Sequence, residues 1–440
     1  MRIRPWRSPS TNPHSEPRTE SSTPDRRPET DSMPVKHCEH VLPNGLRIAA
    51  EIDQEAHSAA MGFFVRTGAR DESPEQMGVS HFLEHMMLKG TERRTAADVD
   101  REFDDLGARH NAWTSAEMTA FHVTCLPHVL VDAEDILSDI LRPSLREDDF
   151  EDEKPVILEE IAMYADQPFW GLYEKTLERF YGDHRLSHRV LGTNETVTAL
   201  TRDGMNEYFQ TRYSADNTIV SLAGNIDFDA MVERIEGHCG HWKRTGAERT
   251  YDQLVPRESD FHDETDRIHQ HYICMAAPAP SLQDDRRYAA GMLAHILGNY
   301  EGSRLYWALV ETGIAEEAQC HFDPRDNTGE YLTWCSCAPG DAERCHETVL
   351  GEMQRILDDL TEEDLLRVRS LAATGLTLAG ELASDRMQRL GRLLTSTGTY
   401  RPLEDELDAI QSVTIDDLRA TAEAFPLKPI VTGHLAPAGE

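Results

Sequence analysis

The sequence predicts an α+β protein built from two homologous α/β sandwiches, each a mixed, largely antiparallel sheet with helices packed on it. Three observations predict this. An order of strand, apolar helix, strand, long helix and strand occurs twice along the 440 residues. Alternating or continuous apolar runs, which read as strands, trade places with 3.6-period runs, which read as helices. A polar, turn-rich stretch, "HWKRTGAERTYDQLVPRESD", separates the two copies. An internal repeat of roughly 200 residues implies two copies of one domain rather than one large fold.

The elements follow in order. Residues 1–33 are rich in Pro, Ser, Thr, Arg and Glu and have no apolar pattern, so they are expected to be a disordered tail. The first domain is expected over 34–240. "VLPNGLRIAAEI" reads as strand, tight turn and strand around Asn44-Gly45. "SAAMGFFVRTGAR" is an apolar strand, "MGVSHFLEHMMLKGT" an amphipathic helix stopped at Gly90, and "TAADVDREFDDLGA" a helix closed by Gly107. "RHNAWTSAEMTAFHVTCL" has the β-branched and aromatic content of a strand. Residues 128–142 and 147–181 read as helices, with Pro155 a local conflict, and 217–226 as a buried strand. After a linker at 241–265, the second domain at 266–440 repeats the order. It has a strand at 269–280, a helix at 286–298, a strand at 329–339, a long helix at 361–382 and a strand at 429–435.

Composition limits the function. The formal net charge is −35, and only six of the 44 basic residues are lysines (36, 89, 154, 175, 243 and 428). Such a surface repels nucleic acid and anionic membranes, so neither is expected as a partner. The charge either keeps the chain soluble in salt or attracts a basic substrate. The eight cysteines form no CxxC pair. Cys335 and Cys337 share one face of a strand, as buried reduced thiols or as a second metal site. No run of about 18 apolar residues exists to span a membrane, and the N-terminus has no apolar signal core, which together suit a cytoplasmic location.

The chemistry concentrates in the first domain. His81-Phe82-Leu83-Glu84-His85 is an H-x-x-E-H motif on a helix. Residues four apart stack on one helix face, so both imidazoles can reach one ion. Glu84 projects beside them, placed to take a proton from water. A catalytic zinc wants a third protein ligand and an open position. "EDDFEDEKPVILEEIAMY" offers acidic residues on a helix, where Glu153 and Glu160 share a face. Spacing leaves Glu159 and Glu160 equally open as that ligand, and a solvated acidic face is the plain alternative.

Together, "HFLEHMMLKGT", "NAWTSAEMTAFHV", "EDEKPVILEEIAMYADQP" and "RYSADNTIVSLAGNID" resemble the pitrilysin/insulinase metallopeptidases, in the short branch that includes mitochondrial processing peptidase and its bacterial relatives. The resemblance spans roughly residues 35–436. It implies a Zn2+ endopeptidase with one metal per chain, held by His81, His85 and Glu160, and with Glu84 as general base. It implies that Glu153 and Glu117 support the ligands from behind, and that Asn111 and Ala112 lie on the edge strand that receives substrate. It implies no metal site in the second domain.

The chain also departs from the family pattern. Where active single-chain members carry an Arg and a Tyr that grip the substrate carbonyl, this sequence has Val310 and Glu316. Arg304 is the nearest basic residue, and reads as structural. The resemblance therefore implies a two-chain chamber, preferably a heterodimer whose paralogous partner supplies the Arg and Tyr. The same family also contains non-catalytic assembly subunits, which usually have lost part of the zinc motif.

Overall fold

The computed structural model describes residues 35–255, 257–299 and 301–439, so the tail expected at 1–33 lies outside the described residues. Residues from Val35 onward form one compact unit with two sheets. The strands of the first half are β1 (Lys36–Val41), β2 (Arg47–Ile52), β3 (Ala59–Val65), β4 (Arg109–Thr114), β5 (Thr119–Cys125) and β6 (Thr218–Gly224). Its helices are α1 (Val79–Met87), α2 (Ala96–Asp105), α3 (Leu130–Ile140), α4 (Glu147–Ala165), α5 (Pro168–Tyr181), α6 (Asn194–Ala199), α7 (Arg202–Arg212) and α8 (Phe228–Cys239). The second half has β7 (Ser259–Thr265), β8 (His271–Pro278), β9 (Ala315–Arg325), β10 (Thr328–Cys337) and β11 (Val431–Pro437). Its helices are α9 (Arg287–Gly298), α10 (Ala342–Arg355), α11 (Glu362–Ala379), α12 (Ala383–Thr397), α13 (Leu403–Ser412) and α14 (Ile415–Ala424).

The repeat is visible in the topology. The first sheet runs β1-β2-β6-β3-β5-β4 and the second β7-β11-β8-β10-β9, so removing β1 leaves the same order twice. In each sheet one pair is parallel (β2 with β6, β11 with β7) and the others are antiparallel. The β1–β2 hairpin turns at Gly45, whose φ of +92° only glycine adopts cheaply.

Three features differ from the sequence expectation. The stretch 109–126 is a hairpin, β4 and β5, broken at Ser115-Ala116 by a turn in which the Ser115 N–H donates to the Met118 carbonyl at 2.9 Å. Within the segment expected to be a linker, Ser259–Thr265 is strand β7. Its sequence, SDFHDET, hides the strand because a sheet edge needs little apolar surface and Phe261 is its one apolar residue. The stretch 147–181 is two helices that part at Gln167-Pro168, and α4 runs on through Pro155.

The halves also exchange a helix. α5 belongs to the first half by sequence but packs on β8 and β11 of the second sheet. Leu172, Phe180 and Tyr181 meet Cys274, Ala276, Leu332 and Val431 there. α12 returns the contact on β2, β3 and β6. Ala383 and Met387 meet Ala60, Phe64 and Ala223, while Leu390 and Leu394 meet Ala49. Close approach requires glycine at this contact: a Cβ on Gly62 would lie 2.8 Å from the Met387 sulfur, and one on Gly391 would overlap the Phe64 ring. Between the halves, Arg249 is buried and pairs with Asp71 of the first half at 2.8 Å and Asp326 of the second at 3.0 Å. Among the described residues, no helix is long and apolar enough to cross a membrane.

Candidate active site

α1 carries the H-x-x-E-H motif because its two faces divide the labour. Val79, Phe82, Leu83, Met86 and Met87 are buried in the first core. His81, Glu84 and His85 fall on the other side. The helix starts at Gly78 in the left-handed region (φ +94°), and the buried Glu72 carboxylate accepts the Gly78 and Ser80 N–H groups, each at 2.7 Å. Those are orphan donors of the first turn, so Glu72 fixes where α1 begins. α4 lies against α1, with the Phe82 and Phe150 rings stacked at 4.7 Å.

This packing brings three groups together. The Nε2 atoms of His81 and His85 each lie 3.7 Å from the same oxygen of Glu160, and one ligand atom from each residue falls within a 4.8 Å cluster. At 3.7 Å no hydrogen bond joins them. Two imidazoles and a carboxylate converging without bonding one another fit a zinc ion, whose bonds to such ligands are about 2.0–2.2 Å. Glu159, left open by the spacing, is exposed and stays outside the cluster.

Neighbouring groups hold the three in place. His85 Nδ1 is 2.9 Å from Glu153 Oε1, and Lys89 pairs with the other Glu153 oxygen. Burial alone would raise the Glu153 pKa, but the Lys89 and His85 hydrogen bonds outweigh it and hold it below the ordinary value. His81 has no such partner, and its Nδ1 is buried without a hydrogen bond. Burial, helped by the adjacent His85, pulls the His81 pKa down to about 4, leaving the ring neutral at pH 7. Burial raises the Glu84 pKa against the opposing pull of Thr114, whose hydroxyl donates to Glu84 Oε2 at 2.5 Å.

Thr114 sits on β4, which ends the first sheet and carries Asn111 and Ala112 opposite His122 and Phe121 of β5. Among the described residues no strand pairs with the outer edge of β4. The Ala112 N–H is met by the Asn111 side-chain oxygen at 2.9 Å. Glu117 is not where a supporter of the ligands would be. Its carboxylate accepts from buried Arg70 and from the Asp326 N–H, so it ties the two halves together instead. The Glu117 carbonyl accepts from the Arg249 guanidinium as well. Sequence reasoning missed Glu72, Lys89 and Thr114. Lys89 stands four residues past His85 and Thr114 three past Asn111, spacings that could have suggested each.

Comparisons with known proteins give the family and the fold. A family model described as "Insulinase (Peptidase family M16)" matches residues 47–194, and one described as "Peptidase M16 inactive domain" matches 199–371. An uncharacterized zinc protease of Mycobacterium leprae is 31% identical over 91% of this chain and 92% of its own length. The chain belongs to the insulinase family, peptidase family M16. A protease from Helicobacter pylori has the same M16 fold, with a TM-score of 0.84 at 20% identity over 91% of this chain and 99% of that one. A Pseudomonas fluorescens structure titled as an M16 inactive domain matches with a TM-score of 0.84 at 17% identity, covering 92% and 99%.

In this M16 chain, neither position that departs from the family pattern carries an Arg or a Tyr. Val310 ends the π-helical turn Tyr306–Val310, and Glu316 is exposed on β9. Arg304 is engaged by Asp359 and by Asp364 at 3.7 Å. Cys335 and Cys337 are buried free thiols, with Cys345 Sγ 3.3 Å from Cys335 Sγ.

Proposed function

We propose that this chain is a zinc-dependent endopeptidase for unfolded peptides, with His81, His85 and Glu160 as metal ligands and Glu84 as general base. The observation that carries the reading is the convergence of both imidazole Nε2 atoms on one Glu160 oxygen, with Glu84 on the same helix face. Zinc held there would polarise the scissile carbonyl and make water nucleophilic near neutral pH. The residues supply the rest. Neutral His81 offers a lone pair. Glu153 accepts the His85 Nδ1 proton and so turns Nε2 towards the ligand set. Glu84, anchored at Oε2 by Thr114, takes the proton from water and passes it to the leaving amine. Its raised pKa suits a group that must both accept and release.

The open edge of β4 suits a peptide added as a further strand, with Asn111 and Ala112 on its path. Thr114, on the same strand, bonds the general base, so substrate seating and base position share one element. The net charge of −35 favours basic peptides. Val310, Glu316 and the engaged Arg304 leave no Arg and Tyr pair at those positions, which supports a two-chain chamber completed by a paralogous partner. Eight free cysteines suit a reducing, cytoplasmic setting.

Glu84→Gln tests the reading. It should keep its zinc while cleavage of a quenched unfolded peptide, measured with the partner chain present, falls by roughly 10²–10⁴-fold. Cleavage at the wild-type rate would remove Glu84 from the mechanism. The same departures at Val310 and Glu316 favour a second reading, a peptide-binding or assembly subunit. Peptide bound but never cut, with zinc and partner both present, is the result that selects it.

A further inference from the structure

The second half was expected to hold no metal because it lacks an H-x-x-E-H motif, yet its sheet gathers histidines elsewhere. His262 of β7 and His434 of β11 are register partners on adjacent parallel strands. His434 lies opposite Ile273 of β8, and His271, two residues earlier, shares that face. Gly433, next along β11, faces Leu172 of α5, so the histidines point from the opposite face, where α10 brings His346.

The geometry is close. His271 Nε2 is 3.0 Å from His434 Nδ1, the His262 and His434 rings stack at 4.3 Å, and His262 and His271 ring centres are 5.9 Å apart. One nitrogen from each of the three falls within a 4.8 Å cluster. Three nitrogens bound to one zinc at about 2.0–2.1 Å stand roughly 3.3 Å apart, so small rotations of the rings suffice. The His346 ring centre lies 5.1 Å from that of His434, and its Nε2 is buried without a hydrogen-bond partner. Four imidazoles this close cannot all be protonated, because like charges disfavour the charged form. Each neutral imidazole keeps one ring nitrogen with a lone pair able to bind a metal.

We infer that His262, His271 and His434 form a second metal site, selective for a nitrogen-preferring divalent transition ion such as Zn2+, with His346 beside its fourth position. Imidazole-only ligands suit zinc, copper or nickel and disfavour calcium or magnesium. The role that follows from placement is structural. Among the described residues β7 is an edge strand paired only with β11, and it is the first element after the segment carrying Arg249. A metal on His262 would clip that strand to β8 and β11, and so fix the downstream end of the connection between the halves.

The test is zinc stoichiometry and affinity of the untagged, chelator-stripped full chain, titrated with Zn2+ alone. Wild type should bind two equivalents. The His81→Ala/His85→Ala double variant should keep one, and adding His434→Ala should remove it. His262→Ala, an exposed position whose loss disturbs packing least, should weaken that remaining equivalent at least tenfold in the same background. If the double variant binds no zinc, or if its zinc is indifferent to both His262→Ala and His434→Ala, the cluster is a stacked and hydrogen-bonded imidazole group and the proposal falls. If the double variant keeps two equivalents and His434→Ala removes one, the second site stands while the assignment of the first fails.

Discussion

The two halves share one topology, and the contrast between α1 with α4 and their counterparts α9 with α11 shows how little it takes to make one of them a site. α1 presents His81, Glu84 and His85, and α4 answers with Glu153 and Glu160. α9 buries Ala289, Ala290, Met292, Leu293, Ala294, Ile296 and Leu297, and its one histidine, His295, is 2.6 Å from the Asn299 amide. α11 turns Leu365 and Val368 inward. Most polar side chains of the first-half site have a partner: His85 with Glu153, Glu153 with Lys89, Glu84 with Thr114; His81 is the exception, held neutral by burial. Without partners they would be costly on a buried helix face. The fold is thus common to both halves, while the chemistry needs a matched set of polar residues from three elements.

The largest effect should come from breaking that set at its ligand. Glu160→Ala should weaken zinc at this site by more than ~100-fold, beyond the 10–100-fold typical of losing an outer partner such as Glu153, and Glu159→Ala should leave it unchanged. Competition with a chromophoric chelator in a His434→Ala background reads this site alone. Equal losses from Glu159→Ala and Glu160→Ala would mean that the acidic face, rather than one ligand, holds the metal.

These residues differed in how far the sequence could place them. His81, Glu84 and His85 were legible because a helix fixes their mutual geometry over one turn. Glu160 was not separable from Glu159 by spacing, since adjacent residues on a helix differ only in direction, and direction is set by how α4 packs on α1 through Phe82 and Phe150. Glu117 was misplaced for a related reason: a turn residue has no periodic face, and its partners Arg70 and Asp326 are distant in sequence. The repeat itself was readable from apolar runs. The exchange of α5 and α12 was not, because an amphipathic helix declares that it must be covered but not by which sheet. β7 was missed because its ionic sequence carries no burial signal.

The exchange makes the halves depend on each other, which gives the next largest effect. Met387→Ala on α12 removes a fully buried side chain from the first sheet, and Leu172→Ala on α5 does the same at the second. Each should cost about 2–5 kcal/mol in a denaturant titration. If the halves are interdependent, both variants should shift one common transition, followed by Trp242 fluorescence in the first core and Trp334 in the second. Separate transitions, with Met387→Ala moving only the first and Leu172→Ala only the second, would show that each sheet folds with its borrowed helix and without the other half.

The most gradual effect, spread over several pH units, concerns how each half starts its first helix. At α9 the partly exposed Asp284 carboxylate accepts the Arg286 N–H at 2.9 Å, whereas at α1 the acceptor is the buried Glu72. Burial pushes the Glu72 pKa from the ordinary 4.5 up to about 8, against the lowering by the Ser80 and Gly78 N–H groups. The folded chain therefore holds this proton over a range where the unfolded chain has lost it. Stability falls as pH rises from about 4.5 to about 8, because the native state binds more protons there. One proton limits the slope to about 1.4 kcal/mol per pH unit. Glu72→Gln has no proton to lose, so its stability relative to wild type should climb across that window and level off outside it. A difference that stays flat with pH would mean that Glu72 is ionised in the folded chain. In that case the two N–H donors and the start of α1 would hold a full charge there, as helix N-termini commonly do.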